Sequence, residues 1–205
     1  MEMGQDFRAI LSHDLTEADL PTLVERLNAT TVALTEFLNQ ARLSDISYVS
    51  APLEWRWAWS AANQPDVERW SSEALDLAGI GSMSFTLGHH CVTFGCWVRW
   101  VEFVTDKAVQ QAVREIVFRF ASVFHSEFAI YVPDSSSLLA EGALNRVHEG
   151  ARGGDILNYL REQRPPAVSI HSICTRVTTV IEGRSYEATE CDGYYMDEFA
   201  DLKSG

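Results

Sequence analysis

Residues 91–132 read CVTFGCWVRWVEFVTDKAVQQAVREIVFRFASVFHSEFAIYV, and this stretch decides the fold. In its first part, apolar residues recur at every second position, which is the period of a half-buried β-strand and predicts a strand over 91–104. In its middle part, apolar residues recur at spacings of three and four, which predicts an amphipathic helix over 106–124. The final FAIYV is a short continuous apolar run before Pro133, which is typical of a buried central strand.

A strand, a helix and a second strand in this order predict a βαβ unit, in which both strands run in the same direction within one sheet. Glycine, proline and periodicity signals outside this stretch predict helices over 16–38, 63–78, 138–147 and 155–160, and a hairpin from 168–181 to 185–189 joined by a three-residue EGR loop. We therefore predict an α+β protein. Its mixed, mostly antiparallel sheet should contain one βαβ unit and carry helices packed on at least one face.

The length and composition of the chain describe an ordinary folded protein. Its 205 residues suffice for one substantial core, and no repeat or low-complexity linker divides them, so we expect a single α+β domain over 1–205. The apolar runs are too short for a membrane helix, and the first residues lack a basic stretch followed by an apolar one. We therefore expect a cytoplasmic protein, whose four cysteines stay free thiols.

The strongest global signal is the formal net charge of −13. Nucleic acids and anionic membranes need a positive protein surface, so the charge argues against direct binding to either. A negative field attracts and steers a basic partner. The charge therefore favours a basic protein as the partner, although acidity that merely maintains solubility would look the same.

Acidic residues and tyrosines are interleaved near the C-terminus. Residues 182–205 contain seven acids and two bases, which gives a local net charge of −5. Tyrosine supplies contact area at protein interfaces and carboxylates supply steering, so we predict a partner-binding surface here. Its residues should be Tyr186, Glu190, Asp192, Tyr194, Tyr195, Asp197, Glu198 and Asp201. The alternative is a terminal segment whose aromatic residues dock on the core and whose charges are solvated.

Three tryptophans alternate with other residues in the segment EWRWAWS at 54–60. Side chains on a strand alternate between its faces, so Trp55, Trp57 and Trp59 should share one face of a strand. That face must cover the core, a partner or a ligand. A pocket lined by the three indoles would make the protein a ligand-binding domain.

The sequence contains no motif that specifies a reaction. It lacks the serine-nucleophile elbow, the phosphate-binding glycine loop, the dinucleotide fingerprint and the zinc-protease helix. A small enzyme would need a non-contiguous active site, for which Asp134, His89 and His90 are the candidates. We expect no bound metal and no cofactor, because His89 and His90 would point in opposite directions on an extended chain, and so would Cys91 and Cys96.

The overall character of the chain resembles that of bacterial immunity proteins, which neutralise polymorphic or contact-delivered toxins. The resemblance rests on the acidic-aromatic segment 186–201, on the strong negative charge and on the missing catalytic motifs. It implies a non-catalytic protein that binds and blocks a cognate toxin, often a basic nuclease. It covers character alone, so no residue of a particular immunity family is carried over.

Overall fold

The structure, a computed structural model, describes residues 5–40, 54–79, 83–134, 137–181 and 184–199. The strands are β1 (Asp6–Ser12), β2 (Arg56–Trp57), β3 (Leu75–Ala78), β4 (Ser84–Leu87), β5 (Cys91–Arg99), β6 (Phe128–Pro133), β7 (Cys174–Ile181), β8 (Arg184–Cys191) and β9 (Tyr195–Glu198). The helices are α1 (Leu20–Gln40), α2 (Val67–Trp70), α3 (Trp100–Thr105), α4 (Lys107–Phe124), α5 (Leu138–His148) and α6 (Gly153–Gln163), with a 3₁₀ turn at Ile170–Ile173.

The strands form one large sheet and one separate hairpin. The large sheet has seven strands in the order β2-β3-β4-β5-β1-β6-β9, and β7 pairs only with β8. Every hydrogen-bonded strand pair in the described parts of the chain is antiparallel. The predicted α+β class and mostly antiparallel sheet are therefore confirmed. The predicted hairpin is present with different bounds: its first strand begins at Cys174 and not at 168, because Ile170–Ile173 form a 3₁₀ turn, and Arg184, predicted in the loop, is the first residue of β8. We call residues 174–191 the hairpin arm.

The predicted strand–helix–strand unit is present, with an additional strand inside it. Both β5 and β6 pair antiparallel with β1, so they run in the same direction and are joined by α3 and α4. Their partner β1 lies between them, because Leu11 aligns with Val92 on one side and with Ala129 on the other. The two strands of the βαβ unit are therefore neighbours of a shared central strand.

Helices cover both faces of the sheet. On one face, α1, α3 and α4 pack over an aromatic-rich cluster in which the ring of Phe120 meets those of Trp55 and Phe85 edge to face. On the other face, α5 and α6 pack over a smaller aliphatic cluster that contains Ile10 and Ile130. Phe120 is fully buried, as its place in the apolar stripe predicts. No described helix has both the length and the apolar character needed to cross a membrane.

Two further predicted elements have substantially different boundaries in the structure. The strand predicted over 91–104 ends at Arg99, where the carboxylate of Glu102 accepts a hydrogen bond from the Arg99 backbone N–H at 3.2 Å and α3 begins. The helix predicted over 63–78 is wrong except at Val67–Trp70, because 75–78 form strand β3. Leu75 and Leu77 are buried there while Asp76 is exposed, which is strand periodicity.

The expectation of four free thiols is also wrong. Cys174 and Cys191 form a disulfide, whereas Cys91 and Cys96 are free and buried. The bonded pair are direct register partners at the base of the hairpin arm, a relation that spacing alone does not reveal. Burial raises the pKa of both free thiols to about 12, so neither is a reactive thiolate at neutral pH.

Candidate functional site

The structure divides the acidic-aromatic C-terminal segment into buried and exposed parts. Tyr194 is 1% exposed and packs in the aliphatic cluster. The carboxylate of Asp197 accepts hydrogen bonds from Nε and Nη2 of Arg114, at 2.8 and 2.6 Å, and from the hydroxyl of Tyr131 at 2.9 Å. Asp197 is thus engaged within the chain, and it ties β9 to α4 and β6.

The network around Asp197 is consistent with a structural role. Burial, together with the nearby carboxylate, raises the pKa of Tyr131, so its phenol stays protonated and donates to Asp197. The hydrogen bond to Asp197 raises the pKa of Arg114. The ring of Tyr195 stacks on that of Tyr131 with centroids 6.2 Å apart, and the Arg114 guanidinium lies 5.7 Å from the centroid of Tyr195. These contacts hold the edge strand β9 against β6 and α4.

The remaining predicted residues have different surroundings. Glu190, Asp192 and Glu198 are exposed, and Tyr195 is half-buried. Tyr186 lies on β8, in register with Thr179. Asp201 lies outside the described residues.

Three of the predicted residues line one cavity, which we call the C-terminal cleft. Its volume is about 470 Å³. Glu190, Asp192 and Tyr194 line it on the side of β8 and β9. The opposite wall is the segment after α6, whose lining residues are Pro165, Pro166, Ala167 and Val168. The N–H of Ala167 donates to the Tyr194 carbonyl at 3.0 Å and so holds the two walls together.

The C-terminal cleft combines an apolar wall with carboxylates. Val168 is 96% exposed, which leaves its side chain open to a partner. The guanidinium of Arg164 lies 3.2 Å from the carboxylate of Asp192, which also accepts a hydrogen bond from the Ser137 hydroxyl at 3.1 Å. Glu190 is exposed and carries the remaining negative charge of the lining. Such a surface suits an apolar segment that carries a basic residue.

The residues proposed for a non-contiguous active site do not meet. His90 directly precedes β5 at the end of the sheet where Ser12 pairs with Cys91. Asp134 follows β6 at the opposite end, where its N–H donates to the Asp6 carbonyl at 2.8 Å. The length of the sheet therefore separates the candidate histidines from the candidate carboxylate.

His90 instead belongs to a group of three histidines around one cavity. His13, His90 and His125 line a cavity of about 510 Å³. Both ring nitrogens of His13 are engaged, Nε2 with the Gly88 carbonyl at 3.0 Å and Nδ1 with the Leu15 N–H at 3.2 Å. Burial lowers its pKa to about 4, so the ring is neutral and fastens the turn around it. Among the described residues, no group of three His, Cys, Asp or Glu side chains could hold a metal ion.

The three tryptophans do not share one face. Trp55 and Trp57 are buried, at 1% and 3% exposure, whereas Trp59 is 90% exposed. The cause is local: β2 ends at Trp57, and Trp59 adopts a left-handed backbone conformation with φ of 65°. The alternation therefore stops before the third indole, and the two cavities lined by Trp57 and Trp59 do not include the buried Trp55.

Comparison with protein-family models, with curated proteins and with solved structures finds no match to this chain. The resemblance to immunity proteins therefore remains a prediction based on overall character. Function has to be inferred from the surfaces described above.

Proposed function

We propose that the protein is a non-catalytic binding module that captures a basic protein partner in the C-terminal cleft, in the way that an immunity protein captures a basic toxin. The observation that supports this most is the cleft itself. It places Glu190 and Asp192, both expected at the interface, beside the exposed apolar wall formed by Pro165 to Val168.

The shape and chemistry of the C-terminal cleft suit a polypeptide better than a small polar ligand. Protein interfaces combine an apolar centre with a polar rim, and here Val168 and the prolines supply the centre while the acids supply the rim. Pro165 and Pro166 restrict the backbone before binding, which reduces the entropy lost on association. The cleft is therefore a preorganised surface.

The charge of the protein supports the same partner. A net charge of −13 accelerates encounter with a basic protein and slows encounter with an acidic one. Glu190, Asp192 and Glu198 remain exposed to act in this way. In this proposal, Tyr194 and Asp197 hold the cleft in place from within, Asp192 is paired with Arg164, and the Glu190 carboxylate contacts the partner.

The disulfide bears on the cellular compartment in which the protein would meet its partner. Disulfides persist mainly in oxidising compartments, so the Cys174–Cys191 bond counts against the cytoplasmic location expected from the sequence. Thiol alkylation of the protein extracted from its native host, with and without prior reduction, would measure how much of this bond exists there.

The proposal can be tested by affinity capture from the native host followed by binding kinetics. Glu190→Lys combined with Val168→Ser should keep the fold, because both residues are exposed. The pair should lower the association rate at least about tenfold and reduce its salt dependence, because steering acts on the on-rate.

A matched control separates the C-terminal cleft from the overall charge. Glu17→Lys combined with Val101→Ser makes the same two types of change at exposed positions outside the cleft and should alter association less than about threefold. Equal effects from both sets of substitutions would exclude the cleft. Turnover of a small molecule without a captured partner would replace the proposal by the enzyme alternative.

A further inference from the structure

Trp59 is the largest exposed apolar side chain described outside the C-terminal cleft, and its backbone is unusual. The side chain is 90% exposed and φ is 65°, a left-handed conformation that costs free energy for a bulky L-residue. Strained residues of this kind persist where the surrounding structure holds them, and they cluster at functional sites. Neither core packing nor turn chemistry accounts for a tryptophan here.

The surroundings hold this turn in one conformation. The N–H of Trp57 donates to the Asn63 side-chain oxygen at 2.8 Å, and the N–H of Ala58 donates to the Asp76 carbonyl at 2.8 Å. After the turn, the Ser60 hydroxyl accepts from the Gln64 N–H at 3.0 Å. Trp59 is therefore presented by a preorganised turn, which lowers the entropic cost of using it as a contact.

Two carboxylates line the same cavity as the indole. Trp59, Asp66 and Asp76 line the same cavity of about 210 Å³, and both aspartates are exposed. The arginine in this lining, Arg69, is already paired with Glu73 at 2.8 Å. The lining thus combines an aromatic side chain with two carboxylates and one arginine that is paired elsewhere, and such an excess of negative charge beside an indole attracts a cation.

We propose that the Trp59 turn is a second recognition site, built for an arginine or lysine side chain of a basic polypeptide. The cation would stack on the indole and lie between the carboxylates of Asp66 and Asp76. The site extends the proposed function and rests on it only for the basic nature of the partner. It lies beside β2, whereas the C-terminal cleft lies near β9, and these strands are opposite edges of the seven-stranded sheet.

Binding of a fluorescein-labelled hexa-arginine peptide, followed by anisotropy, tests the site directly. Trp59→Ala should weaken binding about fivefold, within the range that a cation–π contact supplies. Asp66→Asn combined with Asp76→Asn should weaken it about three- to tenfold. Asparagine keeps the oxygens that accept hydrogen bonds from the Arg69 N–H and the Thr86 hydroxyl, so this variant should retain its fold, as circular dichroism can verify.

The control variant removes the same charge elsewhere. Glu25→Gln combined with Glu162→Gln, at exposed positions on α1 and α6, should change hexa-arginine binding less than about twofold. If this control weakens binding as much as the aspartate pair, or if Trp59→Ala binds as the wild type does, the site does not exist.

The hexa-arginine assay, together with capture of the native partner, distinguishes this inference from the proposed function. Glu190→Lys changes the C-terminal cleft alone. If it abolishes hexa-arginine binding while Trp59→Ala leaves it intact, the cleft stands and the Trp59 site is excluded. If Trp59→Ala weakens peptide binding and Glu190→Lys does not weaken capture of the native partner, the Trp59 site stands and the cleft is excluded.

Discussion

The seven-stranded body and the hairpin arm are both antiparallel β-structure, yet they are held together by different interactions. The strands of the body are covered by helices on both faces, and one cluster of buried side chains lies on each face. In the hairpin arm, Thr175, Arg176 and Thr178 are exposed. Its base is fastened by the disulfide and by a hydrogen bond from Trp100 Nε1 to the Cys191 carbonyl at 2.8 Å.

This difference implies that the body and the hairpin arm are stabilised to different extents. Apolar burial stabilises the body at about 25 cal/mol per Å² of buried apolar surface. A two-stranded hairpin without a covering layer is marginal by itself, so a covalent link that restricts its open state matters more. We therefore expect the body and the arm to open with different free energies.

The largest expected effect concerns the body. Phe120→Ala should lower the free energy of unfolding by about 3–5 kcal/mol, because the ring is fully buried among Trp55, Phe85 and Phe94. Phe118→Ala, on the same helix but 43% exposed, should cost about 1 kcal/mol. Urea denaturation measures both. Similar losses would mean that the aromatic cluster is not what stabilises the body.

The second effect should be confined to the arm. Replacing Cys174 and Cys191 by serine should accelerate amide hydrogen exchange between 175 and 190 about 10- to 100-fold, because a loop of this length gains up to about 3 kcal/mol from its cross-link. The urea midpoint of the body should hardly change. Loss of protection in β1 or β6 in the same experiment would show that arm and body form one cooperative unit.

The third effect is a pH dependence of stability, which we expect in the body and not in the hairpin arm. Burial lowers the pKa of His13 to about 4 from its ordinary 6.5, so below pH 6.5 the unfolded chain binds a proton that the folded chain does not. Stability should therefore fall as the pH falls from 6.5 towards 4, by about 2 kcal/mol between pH 7.5 and pH 5.

Two controls sharpen this pH dependence. His13→Gln should remove that slope, whereas His125→Asn should keep it because the His125 ring is exposed. The hairpin arm contains no histidine, so its hydrogen exchange, corrected for intrinsic rates, should not follow the same curve. An unchanged slope in His13→Gln would assign the effect to other groups.

Local periodicity was sufficient to predict some elements. The helix predicted over 106–124 is α4, Lys107–Phe124, because its apolar stripe is long and its cap, Asp106, accepts hydrogen bonds from the N–H groups of Ala108 and Val109. The hairpin arm was predicted from the β-branched residues of 168–181, which a glycine-containing loop joins to 185–189. In both cases the signal lies within the element itself.

Elements that depend on distant partners could not be predicted in this way. The central strand β1 reads DFRAILS, and consecutive residues from Ala9 to Leu11 are buried because helices cover both faces, so it shows no alternation. Its position between β5 and β6 depends on pairing with residues 79 or more positions away. No local pattern contains that information.

The candidate sites were predictable only in part, for the same reason. Glu190 and Asp192 were predicted from local charge and are exposed. Asp197 has the same local pattern but is paired with Arg114, which lies 83 residues earlier in the chain. The proline wall of the C-terminal cleft had a visible signal in Pro165-Pro166, but nothing in the sequence indicated that it would face Glu190.

The smallest expected effect on stability concerns Trp59, whose side chain is exposed and not packed in the body. Trp59→Gly should leave the free energy of unfolding unchanged or raise it by up to about 1 kcal/mol, because glycine adopts the left-handed conformation without strain and the exposed indole contributes little packing. The added freedom of glycine in the unfolded chain offsets part of this gain.

Trp57→Ala, two residues earlier and buried, should cost about 3–5 kcal/mol. Urea denaturation compares the two variants, and the hexa-arginine assay should show Trp59→Gly to be as weak as Trp59→Ala. A variant that keeps its stability and loses binding identifies a residue retained for recognition, whereas a loss of more than about 1 kcal/mol in Trp59→Gly would make the indole part of the fold.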